Sequence, residues 1–366
     1  MASEDANRHA FLIQEHYCRK MDAPIYADIC AALARGLARE TRTGARVLDW
    51  AGEPTRDALP LRLMGGLHAL VRAGADAELQ ALFAGETGDA EAVLARVFRR
   101  HDEALLPWLD GPPQTNEPGR AGALMAGLLE VARRFGPKLE LLEIGSSGGL
   151  NLLIDRYRFD LGGTAAGPAD APVTIRPEWL GDPLEPAPVK IVSTRGCDVR
   201  PLDVTEPAVE ERLLAYVWAE VPERAERLAR AIAMVREDGV RLEKADAADW
   251  VEARLAEPQD AGVARVLTHS VVWQYLPDKS AARIRAAMAA AGARATRERP
   301  LAWVAMEPER AIGEMMVSVR GWPDDGGRDD GWRVVATAHA HGAWVRPGGA
   351  EGLNSAMLER AARVKL

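Results

Sequence analysis

The sequence predicts an α/β protein in which a helical region precedes a doubly wound, mostly parallel sheet. Three observations favour this class. Apolar residues recur at three- and four-residue spacing through the first 135 residues, where no convincing strand is found. From residue 139 to about residue 310, short apolar runs alternate with helical patterns, which is typical of a parallel sheet covered by helices. The first of these runs ends in the glycine-rich segment GSSGG at 145–149.

The helical region is predicted to form a bundle of five or six helices. Leu59, Leu63 and Leu67 show the spacing of one buried helix face, and polar breaks such as GETGD at 85–89 separate the segments. The predicted helices cover residues 8–20, 24–40, 57–73, 89–109 and 117–135. We therefore expect a helical domain over residues 1–136, and we expect it to act as a lid on the substrate side.

The second predicted domain covers residues 137–366 and starts with a strand at 139–144. The glycine loop and a helix at 150–157 follow, and six prolines between 160 and 188 indicate an insertion that forms a β-hairpin or an extended loop rather than a helix. The remaining predicted strands are 189–194, 240–244, 264–272, 301–307 and 332–341, and the remaining predicted helices are 206–236, 247–256 and 278–294. The segment 321–332 is predicted to be a hairpin loop between the last strands.

Composition and charge argue against several classes of protein. The chain has 366 residues, 48% hydrophobic and 27% charged, which is typical of a globular protein and not of a disordered one. Its net charge of 46 − 54 = −8 argues against a protein that coats nucleic acid. Cys18, Cys30 and Cys197 form no CxxC pair, so we expect free thiols in a reducing compartment. We find no signal peptide and no apolar stretch of about 18 residues, so we expect a cytoplasmic protein without a membrane partner.

The glycine loop at 145–149 is the strongest local signal of a ligand site. In an open parallel sheet, ligands bind beyond the carboxyl ends of the strands, and glycines let the backbone approach them closely. Gly145, Ser147 and Gly149 also satisfy the G-x-S-x-G pattern of the serine hydrolase nucleophile. That nucleophile normally follows several strands, whereas this loop follows the first predicted one. A third interpretation is structural, with glycines that only let a helix pack on a strand.

An acidic residue, Glu143, comes just before the loop. A carboxylate there repels phosphate but suits a ligand with an ammonium group, such as S-adenosylmethionine. The segment LLEIGSSGGLN resembles the first motif of the class I S-adenosylmethionine-dependent methyltransferases, in which E-x-G-x-x-x-G follows a strand. The resemblance implies a Rossmann-like, methyltransferase-like fold and S-adenosylmethionine as cofactor. It also implies that Gly145, Ser147, Gly148 and Gly149 wrap the methionyl and ribose parts of that cofactor.

Two further acids are candidates for contacts to the nucleoside. Asp198 ends the run VKIVSTRGCD and matches the methyltransferase acid that takes the ribose hydroxyls. It lies 53 residues after Gly145 instead of about 20, and the proline-rich insertion accounts for the excess. Asp155 and Asp160 are alternatives closer to the usual spacing. Asp246 in KADA resembles the third acid of the family, which bonds the adenine amino group. Each of these acids also suits a structural role as a helix N-cap.

The segment THSVVWQYLP at 268–277 resembles the fourth methyltransferase motif, which lies beside the point of methyl transfer. The resemblance implies that His269 and Ser270 reach the active site as catalytic residues, with Trp273 and Tyr275 nearby. The structural alternative is a core histidine that bonds a backbone carbonyl, with both aromatic rings in the core.

Two polar groups lie outside these motifs. His339 and His341 alternate along the last predicted strand and should point to one face, with His341 as a candidate base. No third ligand has a supporting spacing, so no metal is predicted. A predicted helix at 117–135 and the antiparallel strand after it bring the helix start beside the glycine loop. Asn116 and Glu117 are therefore predicted to contact the cofactor or the acceptor, with helix capping as the alternative.

Taken together, these segments are similar to an uncharacterised bacterial family, domain of unknown function 2332, over residues 55–345. The resemblance is strongest at QTNE and EIGSSGGLN, and Gly148 stands where an alanine is usual. It implies a methyltransferase-like fold behind a helical region, without an established reaction. The expected function is methyl transfer from S-adenosylmethionine to a small molecule, with no nucleic-acid partner. The alternatives are a non-catalytic nucleoside-binding or regulatory module and a serine hydrolase that uses Ser147.

Overall fold

The computed structural model describes residues 3–86, 88–309, 312–323 and 331–348. The chain divides into two compact units, of which the first combines Met1–Thr115 with Glu206–Glu226. The second combines Asn116–Thr205 with Arg227–Leu366. A search of the described residues finds no helix with the length and hydropathy of a membrane span.

The helices of the described residues are numbered α1–α11 in chain order. They are α1 Glu4–Lys20, α2 Pro24–Gly36, α3 Arg42–Leu48, α4 Leu59–Arg72, α5 Ala77–Phe83, α6 Ala90–Leu105, α7 Ala121–Phe135, α8 Pro207–Ala215, α9 Pro222–Asp238, α10 Ala247–Ala256 and α11 Asp278–Gly292. Short 3₁₀ turns lie at Leu106–Leu109, Pro118–Arg120, Leu150–Arg156 and Trp273–Tyr275.

The strands are numbered β1–β12. They are β1 Lys138–Ile144, β2 Arg158–Leu161, β3 Thr164–Ala166, β4 Thr174–Ile175, β5 Glu178–Trp179, β6 Lys190–Asp198, β7 Leu242–Lys244, β8 Ala264–Ser270, β9 Leu301–Glu309, β10 Glu314–Trp322, β11 Trp332–Ala338 and β12 Trp344–Pro347. They form a nine-stranded sheet in the order β5-β12-β11-β10-β9-β8-β1-β6-β7 and a three-stranded sheet in the order β3-β2-β4.

The first unit is helical and includes a segment that lies far away in the sequence. The predicted stripe of Leu59, Leu63 and Leu67 on α4 is fully buried in its core. The segment 206–226 belongs here because its side chains and backbone bond to the N-terminal helices. For example, the Glu220 carboxylate accepts the N–H of Ile25 at 2.7 Å.

The large sheet reverses its strand order at β1. The five strands β7-β6-β1-β8-β9 are parallel, and the chain moves from β1 first to β6 and β7 and then to β8 and β9 on the other side. The carboxyl ends of β1 and β8 therefore flank the switch point at which open sheets form a crevice. Beyond β9, the strands β10, β11 and β12 continue as antiparallel neighbours.

Helices cover both faces of the parallel strands. Leu142 and Ile144 of β1 share a buried cluster with Trp250 of α10 and Ile284 of α11. The opposite face packs on α7, where Gly127 lies directly against Val304 of β9. The mixed α/β class, with a large, mostly parallel sheet and an N-terminal helical region, is therefore confirmed.

Several details differ from the sequence expectations. The predicted boundary at 136 separates α7 from the sheet, whereas α7 packs on the sheet and groups with it from Asn116 onwards. The predicted helix at 206–236 is two helices, because Pro222 starts a new one. The predicted helix at 150–157 is a 3₁₀ turn, and no strand was predicted for β10. Part of the predicted hairpin loop at 321–332 lies outside the described residues.

The close approach of α7 to the sheet gives a stability prediction. A Cβ on Gly127 would lie 2.5 Å from Val304 Cγ1, so Gly127→Ala should lower the free energy of unfolding by about 1–3 kcal/mol. Alanine is otherwise the better helix former, so a gain in stability would contradict this packing. In urea titrations, Gly127→Ala should lower the free energy of unfolding less in a Val304→Ala background than in the wild-type protein. Gly111→Ala is the control, since nothing lies within 4 Å of its Cβ position.

Candidate functional site

The candidate site lies in the second unit, where β6, β1 and β8 end at the switch point of the sheet. The glycine loop Gly145–Gly149 follows β1 directly. Asp198 ends β6, and His269 and Ser270 end β8. Neighbouring strands are about 4.8 Å apart, so these residues share one edge of the sheet.

The glycine loop turns sharply, because three of its residues have left-handed backbone conformations. The φ angles of Gly145, Ser147 and Gly149 are +67°, +53° and +77°. Glycine adopts this region without steric cost, whereas serine seldom does. The Ser147 Oγ is buried and has no hydrogen-bond partner among the described residues.

The backbone N–H groups of the loop are bonded inside the protein. Asn116 Oδ1 accepts the N–H of Gly148 at 3.1 Å and that of Leu150 at 3.0 Å. Asp198 Oδ2 accepts the N–H of Ser147 at 2.9 Å. These donors therefore do not point toward a ligand, as they do in a phosphate-binding loop.

Two valines press against the loop where it has no side chains. An ideal Cβ on Gly145 would lie 2.4 Å from Val272 Cγ2, and one on Gly148 would lie 2.4 Å from Val204 Cγ1. The loop backbone is thus in direct contact with side chains from two other segments. Larger residues at 145 or 148 would displace these valines.

Glu143 is a buried acid that lacks a full set of partners. The residue is 4% exposed, and its Oε2 has no hydrogen-bond partner in the described part of the chain. Burial raises the pKa of its carboxyl to about 7. The nearby charge of Asp198 also raises the pKa, while hydrogen bonds from Ser146 and Asn151 and the charge of Arg120 lower it. A cation at Oε2 would stabilise the ionised form.

The other predicted acids have different surroundings. Asp198 is half-buried, and its Oδ1 accepts the N–H of Arg200 at 2.8 Å. Asp246 caps α10 by accepting two backbone N–H groups, as the structural alternative expected. Asp160 bonds Arg176 beside β2, away from the switch point, and Asp155 lies in the 3₁₀ turn after the loop.

His269 pairs with an acid on the next strand. Its Nδ1 lies 2.6 Å from Glu307 Oε1 of β9, and its ring stacks on Trp273 with centroids 5.2 Å apart. The residue is 1% exposed, and its Nε2 has no hydrogen-bond partner within the described ranges. The structure thus places a carboxylate where the structural alternative expected a backbone carbonyl.

A strained turn after β8 holds Glu307 in place. Glu307 Oε1 also accepts the N–H groups of Val272 at 2.9 Å and Trp273 at 3.1 Å. The preceding residue, Val271, has φ +57°, which is rare for a β-branched side chain and costs about 1–3 kcal/mol. This turn directs consecutive N–H groups at one oxygen, as in anion-binding nests. Glu307 Oε2 has no hydrogen-bond partner in the described chain.

Predicted residues divide between the two faces of the sheet. Leu142 and Ile144 belong to the cluster with α10 and α11, so Glu143 between them points to the α7 face. His269 contacts Trp303 of that same cluster and therefore points the other way. Ser270 follows His269 and returns to the α7 face.

The QTNE segment and the two late histidines come together. Glu117 Oε1 accepts from Arg227 at 3.0 Å and from the N–H of Gly119 at 2.9 Å. A Cβ on Gly119 would lie 2.6 Å from the carbonyl oxygen of His341. His339 and His341 do not alternate along a strand, because β11 ends at Ala338 and a turn follows. The prediction of a strand at these two histidines was therefore wrong. The N–H of Gly342 donates to the carbonyl oxygen of His339 and closes the turn.

Three contributors to this edge were missed from the sequence: Glu307, Val271 and Arg227. Glu307 had a signal, since it is a charged residue at the end of the apolar run LAWVAM. Val271 had no signal in the sequence, because valine disfavours the positive φ angle that it adopts here. Arg227 bonds Glu117 across 110 residues of sequence, which no local pattern indicates.

Two cavities of the second unit lie elsewhere. One of about 320 Å³ lies beside Lys190 and Ile191 at the start of β6, and one of about 270 Å³ lies beside Arg333 of β11. In the described part of the chain, no three His, Cys, Asp or Glu side chains group as metal ligands would.

Comparison with known proteins gives one match. A family model described as "Uncharacterized protein conserved in bacteria (DUF2332)" matches residues 8–346. Comparisons with curated proteins and with solved structures find no match. The matched range includes every motif discussed above.

The two hydrogen bonds to Asn116 predict a stability loss. Asn116→Ala leaves the N–H groups of Gly148 and Leu150 without their acceptor and should lower the free energy of unfolding by about 1–3 kcal/mol. Hydrogen exchange at these two amides should accelerate. Thr115→Ala, at the exposed neighbouring residue, is the control and should change neither measurement. Unchanged exchange in Asn116→Ala would contradict the bonding described here.

The raised pKa of Glu143 predicts a pH-dependent stability. Between pH 4.5 and about 7 the folded chain keeps a proton that the unfolded chain releases, so stability is full below pH 4.5 and falls as pH rises through 7. A shift of this size corresponds to roughly 3 kcal/mol at most. Glu143→Gln should therefore stabilise the protein at pH 8 but not at pH 4, as measured by urea unfolding. Glu103→Gln, on an exposed acid of α6, is the control. An equal effect of Glu143→Gln at both pH values would refute this electrostatic account.

Proposed function

Since the chain belongs to the bacterial family of domain of unknown function 2332, as its motifs predicted, we propose a function from its own residues. The carboxyl edge of the sheet binds S-adenosylmethionine, and the protein transfers the methyl group to a small molecule. The observation that carries this proposal is the buried carboxyl of Glu143, with Oε2 lacking a hydrogen-bond partner in the described chain, at the switch point of the sheet.

The glycine loop favours a ligand without phosphate. Two of its N–H groups, those of Ser147 and Gly148, and the N–H of the next residue, Leu150, already bond Asp198 and Asn116. A pyrophosphate would need such donors, and the acid Glu143 would repel it. A nucleoside that carries an amine suits this edge better, because its ammonium group complements Glu143.

Asp198 is suited to bind a ribose. Each of its two oxygens accepts one backbone N–H, from Ser147 and Arg200, which fixes the orientation of the carboxylate. A carboxylate oxygen has a second lone-pair site, so both can still accept a hydroxyl hydrogen. Two neighbouring acceptors match the two neighbouring hydroxyls of a ribose. Asp246 retains its proposed role toward adenine only through Oδ2, since Oδ1 caps α10.

The carboxyl groups of Glu143 and Asp198 fit the ammonium group and the ribose of the cofactor that the motifs imply. When bound, S-adenosylmethionine supplies a methyl group that its positively charged sulfur already activates. The protein then has to bind and orient the acceptor, exclude water and take up any proton that the acceptor loses. Ser270 shares a sheet face with Glu143, and His269 lies on the other face of the same edge.

A non-catalytic nucleoside-binding module is the second candidate. The observation that favours it is the burial of His269, which is 1% exposed and packed between tryptophans. Such a protein would bind the nucleoside but would methylate no acceptor. The hydrolase alternative has less support, because neither Ser147 Oγ nor His269 Nε2 bonds any group among the described residues.

Calorimetry with S-adenosylhomocysteine tests the binding proposal. Glu143 must be ionised to hold the ammonium group, so affinity should fall more than about tenfold between pH 7.5 and pH 5.5. Glu143→Gln should weaken binding by about 1.5–3 kcal/mol and remove this pH dependence. Adenosine lacks the ammonium group of the methionyl part, so its binding should not depend on pH in this way.

Two results would argue against the proposal. One is a wild-type protein that binds neither S-adenosylmethionine nor S-adenosylhomocysteine. The other is a Glu143→Gln variant with unchanged affinity at both pH values. Asp198→Asn should weaken the binding of S-adenosylmethionine, S-adenosylhomocysteine and adenosine alike, because all three carry the ribose.

A further inference from the structure

Resting on the proposed function, we propose that His269 accepts a proton through Nε2 and that Glu307 is its positioning residue. The substrates of the site are then neutral molecules that lose an O–H or N–H proton when they are methylated. Two buried side chains and one strained turn carry this proposal.

The pairing with Glu307 fixes which nitrogen of His269 holds a proton. Nδ1 lies 2.6 Å from Glu307 Oε1, and a carboxylate oxygen can only accept. Nδ1 of the neutral imidazole therefore carries the hydrogen, and Nε2 presents a lone pair. Nε2 is buried and bonds no other group among the residues described, so its lone pair lacks a partner that a substrate could supply.

Glu307 is itself held rigidly. Its Oε1 receives the N–H groups of Val272 and Trp273 in addition to His269 Nδ1. Val271 adopts φ +57° to direct these N–H groups, a strained conformation of the kind that concentrates at functional sites. A histidine needed only for packing does not require this arrangement, since Trp273 and Trp303 already enclose its ring.

The pair lies at the start of the glycine loop. In the register of β1 and β8, Glu143 lies opposite Thr268, so Ile144 is the next neighbour of His269. Val272 connects the two regions, because its N–H bonds Glu307 while its side chain packs on Gly145. An acceptor that reaches past Val272 from the carboxyl edge would meet the imidazole on the α10 and α11 face of the sheet.

His269 Nε2 takes the proton that the acceptor loses. The acceptor's lone pair forms the new bond to the methyl carbon as the carbon–sulfur electron pair returns to sulfur. The positive charge of the sulfonium is thereby replaced by that of the imidazolium, which Glu307 stabilises. The imidazolium then returns its proton to water. A carboxylate or thiolate acceptor needs no such base, so this arrangement selects alcohols, phenols or amides.

The test uses asparagine variants of two buried histidines. In His269→Asn, the amide nitrogen replaces Nδ1 as the donor to Glu307, while the position of Nε2 is lost. His68→Asn is the matched control, because His68 is also buried and its Nδ1 lies 3.1 Å from the carbonyl oxygen of Ala215. Each variant is assayed for S-adenosylhomocysteine binding and for methyl transfer to alcohols, phenols, amides, carboxylates and thiolates.

The proposal expects a selective loss of turnover. His269→Asn should lower kcat on neutral acceptors by about a hundred- to ten-thousandfold, with binding of S-adenosylhomocysteine unchanged within about twofold. His68→Asn should change neither. A His269→Asn variant within threefold of wild-type kcat, or a wild-type protein that methylates only carboxylates and thiolates, would overturn it. A wild-type protein that binds no S-adenosylhomocysteine would refute the proposed function instead.

Nitrogen NMR of labelled histidine gives a readout that is independent of turnover and of variant folding. The His269 signals, assigned in the wild-type protein by contacts to Trp273, should show a protonated Nδ1 and a bare Nε2. The opposite tautomer would overturn the proposal. Glu307→Gln should lower kcat while the side-chain oxygen still accepts the N–H groups of Val272 and Trp273.

Discussion

The oxygen of one amide side chain fixes the backbone on which the candidate site depends. Asn116 Oδ1 accepts from Gly148 and Leu150 and so holds the glycine loop in one conformation. Glycine-rich segments lose much conformational entropy on ordering, and these buried bonds offset part of that loss. Asn116 lies just before α7, which packs on the sheet, so the loop is tied to the body of the unit. Glu143 keeps its place beneath this loop.

Burial of the Glu143 carboxyl lowers the stability of the folded chain, and this cost points to a functional role. Ser146, Asn151 and the charge of Arg120 compensate part of the burial of Glu143, which is 4% exposed, but its Oε2 has no hydrogen-bond partner among the described residues. The nearby Asp198 makes ionisation harder still. Hydrophobic packing alone would be served better by a neutral side chain. Perturbed acids of this kind concentrate at functional sites, and a cationic ligand would relieve the strain.

Features encoded over a few neighbouring residues could be predicted from the sequence, and features that depend on distant contacts could not. The run LELLEI and the glycines after it lie within a dozen residues, so β1 and its loop were predicted correctly. Asp198 was predicted at a strand end because it follows an apolar run, and it does end β6 despite the insertion before it. The partnership of His269 with Glu307 needs β8 and β9 to be neighbours, which only the folded sheet establishes. The grouping of residues 206–226 with the N-terminal helices also depends on contacts between segments that are far apart in the sequence, so it could not be predicted.

The two acids of the site are separated by the sheet itself. Glu143 points to the α7 face and Glu307 to the face of α10 and α11, with the backbone of the strands between them. Two carboxylates that share one pocket raise each other's pKa, and one of them then holds a proton. On opposite faces, Glu307 can accept from His269 Nδ1 whether Glu143 faces a cation or not. Binding of a charged ligand and uptake of a proton can therefore be controlled separately at one edge of the sheet, where Val272 contacts both regions.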